Sequence, residues 1–318
     1  MKFVKIALIA LAGLVVALPA TAYVYLYVLP KGPELTAPSA TPEGKASFVM
    51  RAHDGAQHRT IRVWTFKPSN WRDGGEVLFV MHGMSRNAEE YLDMWVDTAE
   101  RQNVLLIAPE FESPFYRFVT NDYQDGNLFT ALGFANPQSE WAYVTIERIV
   151  DTLNDRNDWS IAGYDMFGHS AGGQFVQKMA MLAPNSRLRT GIAANPGAYV
   201  FPDSEVAFPY GLKGVDPSSV DLATAFSRNV VLLLGEQDAD ANQGVLDESA
   251  AAMRQGPHRL ARGRNFYAAA SSVAERRGLP FEWRLQIVPD VGHENQKMAA
   301  AAAVLLAEPG EATSASHP

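Results

Sequence analysis

The strongest signal in the sequence is Gly168-His169-Ser170-Ala171-Gly172, because it lies between a predicted strand at Tyr164–Phe167 and a helical pattern that ends near Leu182. A serine hydroxyl becomes a nucleophile only when it is held clear of the backbone and beside a base. A sharp strand-to-helix turn does this, and its crowded backbone admits only small residues at positions 168 and 172. An unreactive glycine-rich turn is the alternative interpretation.

Short apolar runs alternate with helical patterns on both sides of this turn. The predicted strands are Ser47–Ala52, Arg59–Phe66, Glu76–Met81, Val104–Ala108 (stopped by Pro109), Tyr164–Phe167, Thr190–Ala194, Val230–Leu234 and Trp283–Val288. The predicted helices are Ala88–Arg101, Glu140–Leu153, the segment after the 168–172 turn, Leu246–Arg254, Leu260–Arg277 and Glu294–Leu306. An Asp54-Gly55 turn joins the first two strands as an antiparallel pair. This order predicts an α/β fold with a mostly parallel central sheet and helices on both faces.

A serine nucleophile needs a histidine base and an orienting carboxylate, which in folds with this turn follow it in the order acid, histidine. Asp238 lies in the loop after strand Val230–Leu234, with Glu236 and Asp240 as alternatives. His293 follows the last predicted strand. We therefore predict that His293 takes the proton of Ser170, and that Asp238 orients the imidazole.

An oxyanion hole requires two backbone N–H groups that point at the developing negative charge. Ala171, the residue after the nucleophile, is one predicted donor. The other is Met84 in the loop after strand Glu76–Met81, where Gly83 permits a tight backbone. We expect His82 to order this loop through hydrogen bonds, although a catalytic role is the alternative.

These four elements, in this order, resemble the α/β-hydrolases. The His82-Gly83-Met84 loop and the 167–173 segment are most similar to the branch with polyhydroxybutyrate-depolymerase-like and feruloyl-esterase-like enzymes. The resemblance implies a carboxylic-ester hydrolase that forms an acyl-enzyme and needs no cofactor. The large insertion of a capped enzyme is absent, so a short cap or none and an open site are expected. The substrate is expected to be a small or polymeric ester.

Two other functions are consistent with the same residues or the same fold. The same catalytic residues serve a serine peptidase or amidase, and a non-catalytic protein of this fold would bind ligands or partners. All four catalytic elements are present, which argues against the non-catalytic alternative.

Composition excludes several other classes of protein. The chain of 318 residues has 27 Lys and Arg against 35 Asp and Glu, a formal charge of −8, which disfavours nucleic-acid binding. It has no cysteine, which excludes disulfides, thiol catalysis and cysteine-ligated metals. His53 and His58 lack neighbouring ligands, so no metal site is predicted.

Three further stretches carry weaker signals. The proline- and aromatic-rich segment 195–229 and the aromatic segment 113–134 are candidate lids or pocket walls, or ordinary connections. The basic stretch of Arg254, Arg259, Arg262, Arg264, Arg276 and Arg277 is interpreted as a solvated helix face.

The ends of the chain predict a segmented organisation. The run from Ile6 to Pro30 carries no charge and follows Lys2 and Lys5, as in a signal peptide with cleavage after Ala22 or an uncleaved membrane anchor. Both interpretations place the protein outside the cytoplasm, free or membrane-bound, at a periplasm or cell surface. Residues 31–45 are interpreted as a linker, 46–308 as the catalytic domain and 309–318 as a flexible tail.

Overall fold

The computed structural model describes residues 17–25, 29, 31–53, 59–113, 115–118, 120–240 and 245–307. The strands are β1 (Gly44–Arg51), β2 (Thr60–Lys67), β3 (Val77–Met81), β4 (Leu105–Glu110), β5 (Tyr164–His169), β6 (Leu188–Ala194), β7 (Asn229–Gly235) and β8 (Arg284–Val288). The α-helices are α1 (Ala88–Asp93), α2 (Val96–Gln102), α3 (Ala142–Asn157), α4 (Ala171–Leu182), α5 (Leu222–Phe226), α6 (Ala250–Met253), α7 (Arg259–Arg277) and α8 (Asn295–Ala307). Short 3-10 or π turns occupy Thr120–Gln124, Gln138–Glu140 and Pro217–Ser219.

The described strands form one sheet in the order β1-β2-β4-β3-β5-β6-β7-β8. β1 pairs antiparallel with β2, and β2 pairs antiparallel with β4. The remaining pairs are parallel, so the predicted mostly parallel sheet is confirmed. The carboxyl ends of β3, β5, β7 and β8 therefore meet at one edge, where such sheets bind ligands.

Helices cover both faces of the sheet, as its alternating side chains require. In β3, Phe79 joins the core cluster that contains residues of α3, α4 and α7, whereas Val80 joins the cluster that contains residues of α1, α2 and α8. Both clusters consist of buried apolar side chains. Burial of this kind stabilises the fold by about 25 cal/mol per Å² of apolar surface.

Three predicted elements differ from the structure. The helix predicted over Ala88–Arg101 is broken at Met94 and Trp95, where the Trp95 indole turns inward against Phe167, with ring centroids 5.0 Å apart. Strand β4 continues through Pro109, which lies opposite Val63 of β2. The described pairing of β4 with β3 ends at Ile107, so a residue without an N–H is tolerated there.

The third difference is the helix predicted over Leu246–Arg254. Only Ala250–Met253 is helical, because the Ser249 side chain caps α6 by accepting a hydrogen bond from Ala252 N at 3.2 Å.

The predicted linker is partly bound to the domain. Val49 N donates to Thr36 Oγ1 at 3.0 Å, and Thr41 N donates to Asn157 Oδ1 at 2.6 Å. These contacts hold residues 36–41 against β1 and the end of α3. The Asp54-Gly55 turn, residues 1–16 and the tail after 307 lie outside the described residues. Among the residues described, no helix is long and apolar enough to cross a membrane.

Candidate active site

The turn after β5 presents Ser170 in a strained backbone conformation. Its φ of 57° lies in the left-handed region, which a non-glycine residue adopts at an energetic cost. A Cβ added at Gly168 would lie 2.3 Å from Gly172 O, and one added at Gly172 would lie 2.2 Å from Met81 O. Only glycine therefore fits at both positions, which is the crowding that a tight turn between β5 and α4 produces.

His293, in the loop between β8 and α8, lies between two of the other predicted residues. Its Nε2 is 3.0 Å from Ser170 Oγ, and its Nδ1 is 2.7 Å from Asp238 Oδ2. A carboxylate only accepts hydrogen bonds, so Nδ1 carries a proton and Nε2 is free to accept from the serine hydroxyl. This arrangement can move the Ser170 proton to the imidazole.

Asp238 follows β7 and is fully buried, whereas its two alternatives, Glu236 and Asp240, are exposed. Glu236 accepts a hydrogen bond from Asp290 N at 3.2 Å, on the surface of the same loop region. The Asp238 oxygen that faces away from His293 forms an ion pair with Arg259, with Nη1 3.4 Å from Oδ1. The carboxylate is thus held between an imidazole and a guanidinium.

The predicted interpretation of the basic stretch is wrong for Arg259 and Arg262. Both side chains are buried, at 2% and 0% exposure, and not on a solvated helix face. Arg262 donates through Nε to Gly256 O at 2.9 Å and through Nη1 to Gly197 O at 2.7 Å. The sequence signal that separates this pair is the spacing of three along α7, which places both residues on one face of the helix.

The loop after β3 is ordered from within by His82, which is buried. Its Nε2 accepts from Phe111 N at 3.1 Å, so its Nδ1 carries the proton and donates to Gly83 O at 2.8 Å. Tyr123 packs against the ring, with centroids 4.4 Å apart, and donates through its hydroxyl to His82 O at 2.7 Å. Burial lowers the pKa of His82 to about 4, and the ring therefore stays neutral at ordinary pH.

Tyr91, in α1, connects this loop to the nucleophile turn. Its hydroxyl lies 3.4 Å from His169 Nδ1, and a Cβ added at Gly83 would lie 2.6 Å from the same hydroxyl. The His169 ring is 4.6 Å from the His293 ring, centroid to centroid. Burial lowers the pKa of His169 well below its usual range, so a neutral ring lies beside the base.

The two predicted oxyanion donors, Ala171 and Met84, come from different segments of the chain. Ala171 is buried and is the first residue of α4, so its backbone N–H has no acceptor within the helix. Met84 is in the loop after β3. It lines the same cavity as Gly83, Ser170 and His293.

That cavity has a volume of about 430 Å³. Its lining includes Val245, Arg259 and Asn295 in addition to the residues around Ser170. Neither aromatic segment lines this cavity: Tyr123 and Tyr199 are fully buried in the core, whereas Phe118 and Phe134 are exposed elsewhere. Within the described residues, no group of three or more His, Asp or Glu side chains could hold a metal ion.

Comparison with known proteins finds matches among solved structures, whereas no family model and no curated protein matches the chain. Among solved structures, poly(aspartic acid) hydrolase-1 from Sphingomonas sp. KT-1 is 33% identical, with a TM-score of 0.78, over 84% of this chain and 100% of that one. LpqC, a poly(3-hydroxybutyrate) depolymerase from Bordetella parapertussis, is 34% identical, with a TM-score of 0.78, over 83% of this chain and 89% of that one.

A more distant match shows the fold alone. An S-formylglutathione hydrolase from Agrobacterium tumefaciens is 16% identical, with a TM-score of 0.52, over 86% of this chain and 97% of that one. The first two matches exceed 30% identity over most of both chains and have the same architecture. The chain therefore belongs to the α/β-hydrolase superfamily, as a hydrolase of the poly(3-hydroxybutyrate)-depolymerase-like branch.

Proposed function

We propose that Ser170, His293 and Asp238 form a catalytic triad that cleaves carboxylic esters through an acyl-enzyme. The observation that carries this proposal is the double contact of His293, 3.0 Å from Ser170 Oγ and 2.7 Å from Asp238 Oδ2. A base with a defined tautomer beside a strained serine is the arrangement that nucleophilic catalysis requires.

Acylation begins when Nε2 of His293 takes the proton of the Ser170 hydroxyl as Oγ attacks the ester carbonyl carbon. The carbonyl oxygen becomes an oxyanion, which the N–H groups of Ala171 and Met84 stabilise; one such donor contributes about 3 kcal/mol in well-studied enzymes. Asp238 stabilises the imidazolium. The imidazolium then gives its proton to the alkoxide oxygen as the carbon–oxygen bond breaks, and the alcohol departs.

Deacylation repeats these steps with water. His293 takes a proton from a water molecule, which attacks the acyl carbon of the Ser170 ester. The second oxyanion collapses, Ser170 Oγ leaves with the proton of the imidazolium, and the carboxylic acid is released. Atoms balance as one ester and one water giving one acid and one alcohol.

For the substrate, we propose oligomers or polymers of hydroxy acids, such as poly(3-hydroxybutyrate). The support is the 34% identity to LpqC, a depolymerase of that polymer. The cavity above Ser170, of about 430 Å³, matches the size of typical ligand sites, about 300 to 1,000 Å³.

Release of 3-hydroxybutyrate from a defined oligomer tests this function. Wild-type protein should release monomer or dimer, and Ser170→Ala should release none above background. An inactive wild type that also fails on p-nitrophenyl esters of increasing chain length would contradict the ester-hydrolase proposal.

A second candidate is amide hydrolysis by the same residues, because the chain is 33% identical to a poly(aspartic acid) hydrolase. Poly(aspartic acid) assayed beside the hydroxybutyrate oligomer distinguishes the two. A higher kcat/KM on the polyamide would reverse the order of the two candidates.

We also propose that the uncharged N-terminal run takes the enzyme out of the cytoplasm, either as a signal peptide or as an anchor. The support is the sequence pattern from Lys2 to Ala22. Cleavage after Ala22 removes Lys2 and Lys5, which changes the charge from 27 − 35 to 25 − 35. Intact mass of protein recovered from cell fractions decides between a cleaved and a tethered enzyme, and exclusive recovery in the cytoplasm would contradict both.

A further inference from the structure

Arg259 contacts both the proposed triad acid, Asp238, and the loop residue Val245. Its Nη1 lies 3.4 Å from Asp238 Oδ1, and its Nη2 donates to Val245 O at 2.9 Å. Arg259 and Asp238 are both almost fully buried, at 2% and 0% exposure. Val245, in contrast, is 74% exposed and lines the cavity above Ser170.

The first turn of α7 fixes Asp238 through its backbone as well. Leu260 N donates to Asp238 O at 3.1 Å, so one turn of helix holds the main chain and the side chain of the acid. A planar guanidinium presents its donors in a rigid fork. One fork therefore sets the position of the carboxylate relative to the cavity rim.

A buried carboxylate is costly unless it is paired on both oxygens. His293 occupies Oδ2 of Asp238 and Arg259 occupies the side of Oδ1. Without Arg259, one oxygen of Asp238 would lose its ion pair inside the protein. The carboxylate would then be free to turn away from His293.

We infer that Arg259 is a positioning residue for the proposed triad, which aims the Asp238 carboxylate at His293. This inference rests on the proposed function. It assigns no contact between Arg259 and the substrate.

The test compares kcat and KM for the full-length wild type, Arg259→Met, Arg259→Gln and Arg259→Lys on one p-nitrophenyl ester. The two neutral variants should lose at least about tenfold in kcat while KM stays within about threefold, because a misaimed Asp238 impairs proton transfer and not ester binding. Arg259→Lys should recover part of kcat, because the charge remains, but not all of it, because the fork is gone.

Arg264→Gln is the matched control, since Arg264 lies exposed on the same helix and its substitution removes the same net charge. It should keep the wild-type kcat and KM. A wild-type kcat in the neutral variants, a loss that appears only in KM, or an equal loss in Arg264→Gln would overturn the inference. If neither neutral variant folds, a wild-type kcat in Arg259→Lys would overturn it.

Failure of this inference and failure of the proposed function have different signatures. The first leaves a wild type that hydrolyses esters and loses that activity in Ser170→Ala. The second leaves a wild type without such activity, whatever Arg259 does.

Discussion

His293 Nε2 lies 3.0 Å from Ser170 Oγ, although 123 residues separate the two in the chain. The contact is produced by the sheet, because β5 and β8 end at the same edge with only β6 and β7 between them. The orientation of the imidazole in turn depends on Asp238, which follows β7. The ends of three strands thus bring Ser170, Asp238 and His293 together.

Asp238→Asn should lower kcat by about 10³- to 10⁴-fold with little change in KM, because an amide cannot stabilise the imidazolium and favours the wrong tautomer. Asp240→Asn, an exposed change two residues along the same loop, is the control and should stay within about threefold of wild type. Steady-state kinetics on a p-nitrophenyl ester measure both. A larger loss in Asp240→Asn would mean that the acid has been misassigned.

Gly83→Ala should impair the proposed oxyanion loop, since its Cβ would lie 2.6 Å from the Tyr91 hydroxyl. We expect kcat to fall by about tenfold or more, a loss of about 1.4 kcal/mol in transition-state stabilisation. The double variant Gly83→Ala, Tyr91→Phe should recover part of that loss, because the clashing oxygen is gone and the next ring atom is 3.4 Å away. No recovery would show that the loop is limited by something other than this contact.

Gly172→Ala should destabilise the fold by about 3 kcal/mol or more, because the new methyl would meet the backbone of β3, which cannot give way. Gly163→Ala is the matched control, as its methyl would meet carbons of the half-exposed Arg189 side chain at 3.0 Å. That variant should stay within about 1 kcal/mol of wild type. Urea unfolding curves compare the two, and similar costs would contradict the crowding of the nucleophile turn.

His82 should make the free energy of unfolding fall as the pH drops from about 6.5 to about 4. Burial lowers its pKa in the folded protein from 6.5 to about 4, so in this window the unfolded state binds a proton that the folded state rejects. The effect of one such group is a loss of about 3 kcal/mol across the window. In His82→Asn the dependence should lessen by about one proton, as measured by urea unfolding at several pH values. An unchanged pH dependence in His82→Asn would contradict this explanation.

The sequence predicts the parts of the site that follow from local pattern and chain order. Apolar runs and the residues at their ends predict the strand–turn–helix around Ser170 and the order of the strands along the chain. They also predict the loops that carry Asp238 and His293. The 167–173 segment and the His82-Gly83 loop also predict the branch of the superfamily, which the 34% identity to LpqC confirms.

What the sequence does not predict depends on contacts between distant segments. Arg259 reads as one of a run of arginines, and only the folded sheet shows that its side chain turns inward to Asp238. Trp95 interrupts a helical pattern because its indole packs on Phe167, a residue 72 positions away. Aromatic residues such as Tyr123 and Tyr199 look like pocket walls in sequence, yet packing places them in the core.

Covalent labelling with a fluorophosphonate is the direct test of Ser170 as the nucleophile. Intact mass should show one adduct per wild-type molecule, located on Ser170 by peptide mass, and none on Ser170→Ala. His293→Ala should label far more slowly than wild type, because the hydroxyl has lost its base. A wild type that remains unlabelled, or a Ser170→Ala variant labelled to the same extent, would contradict the account.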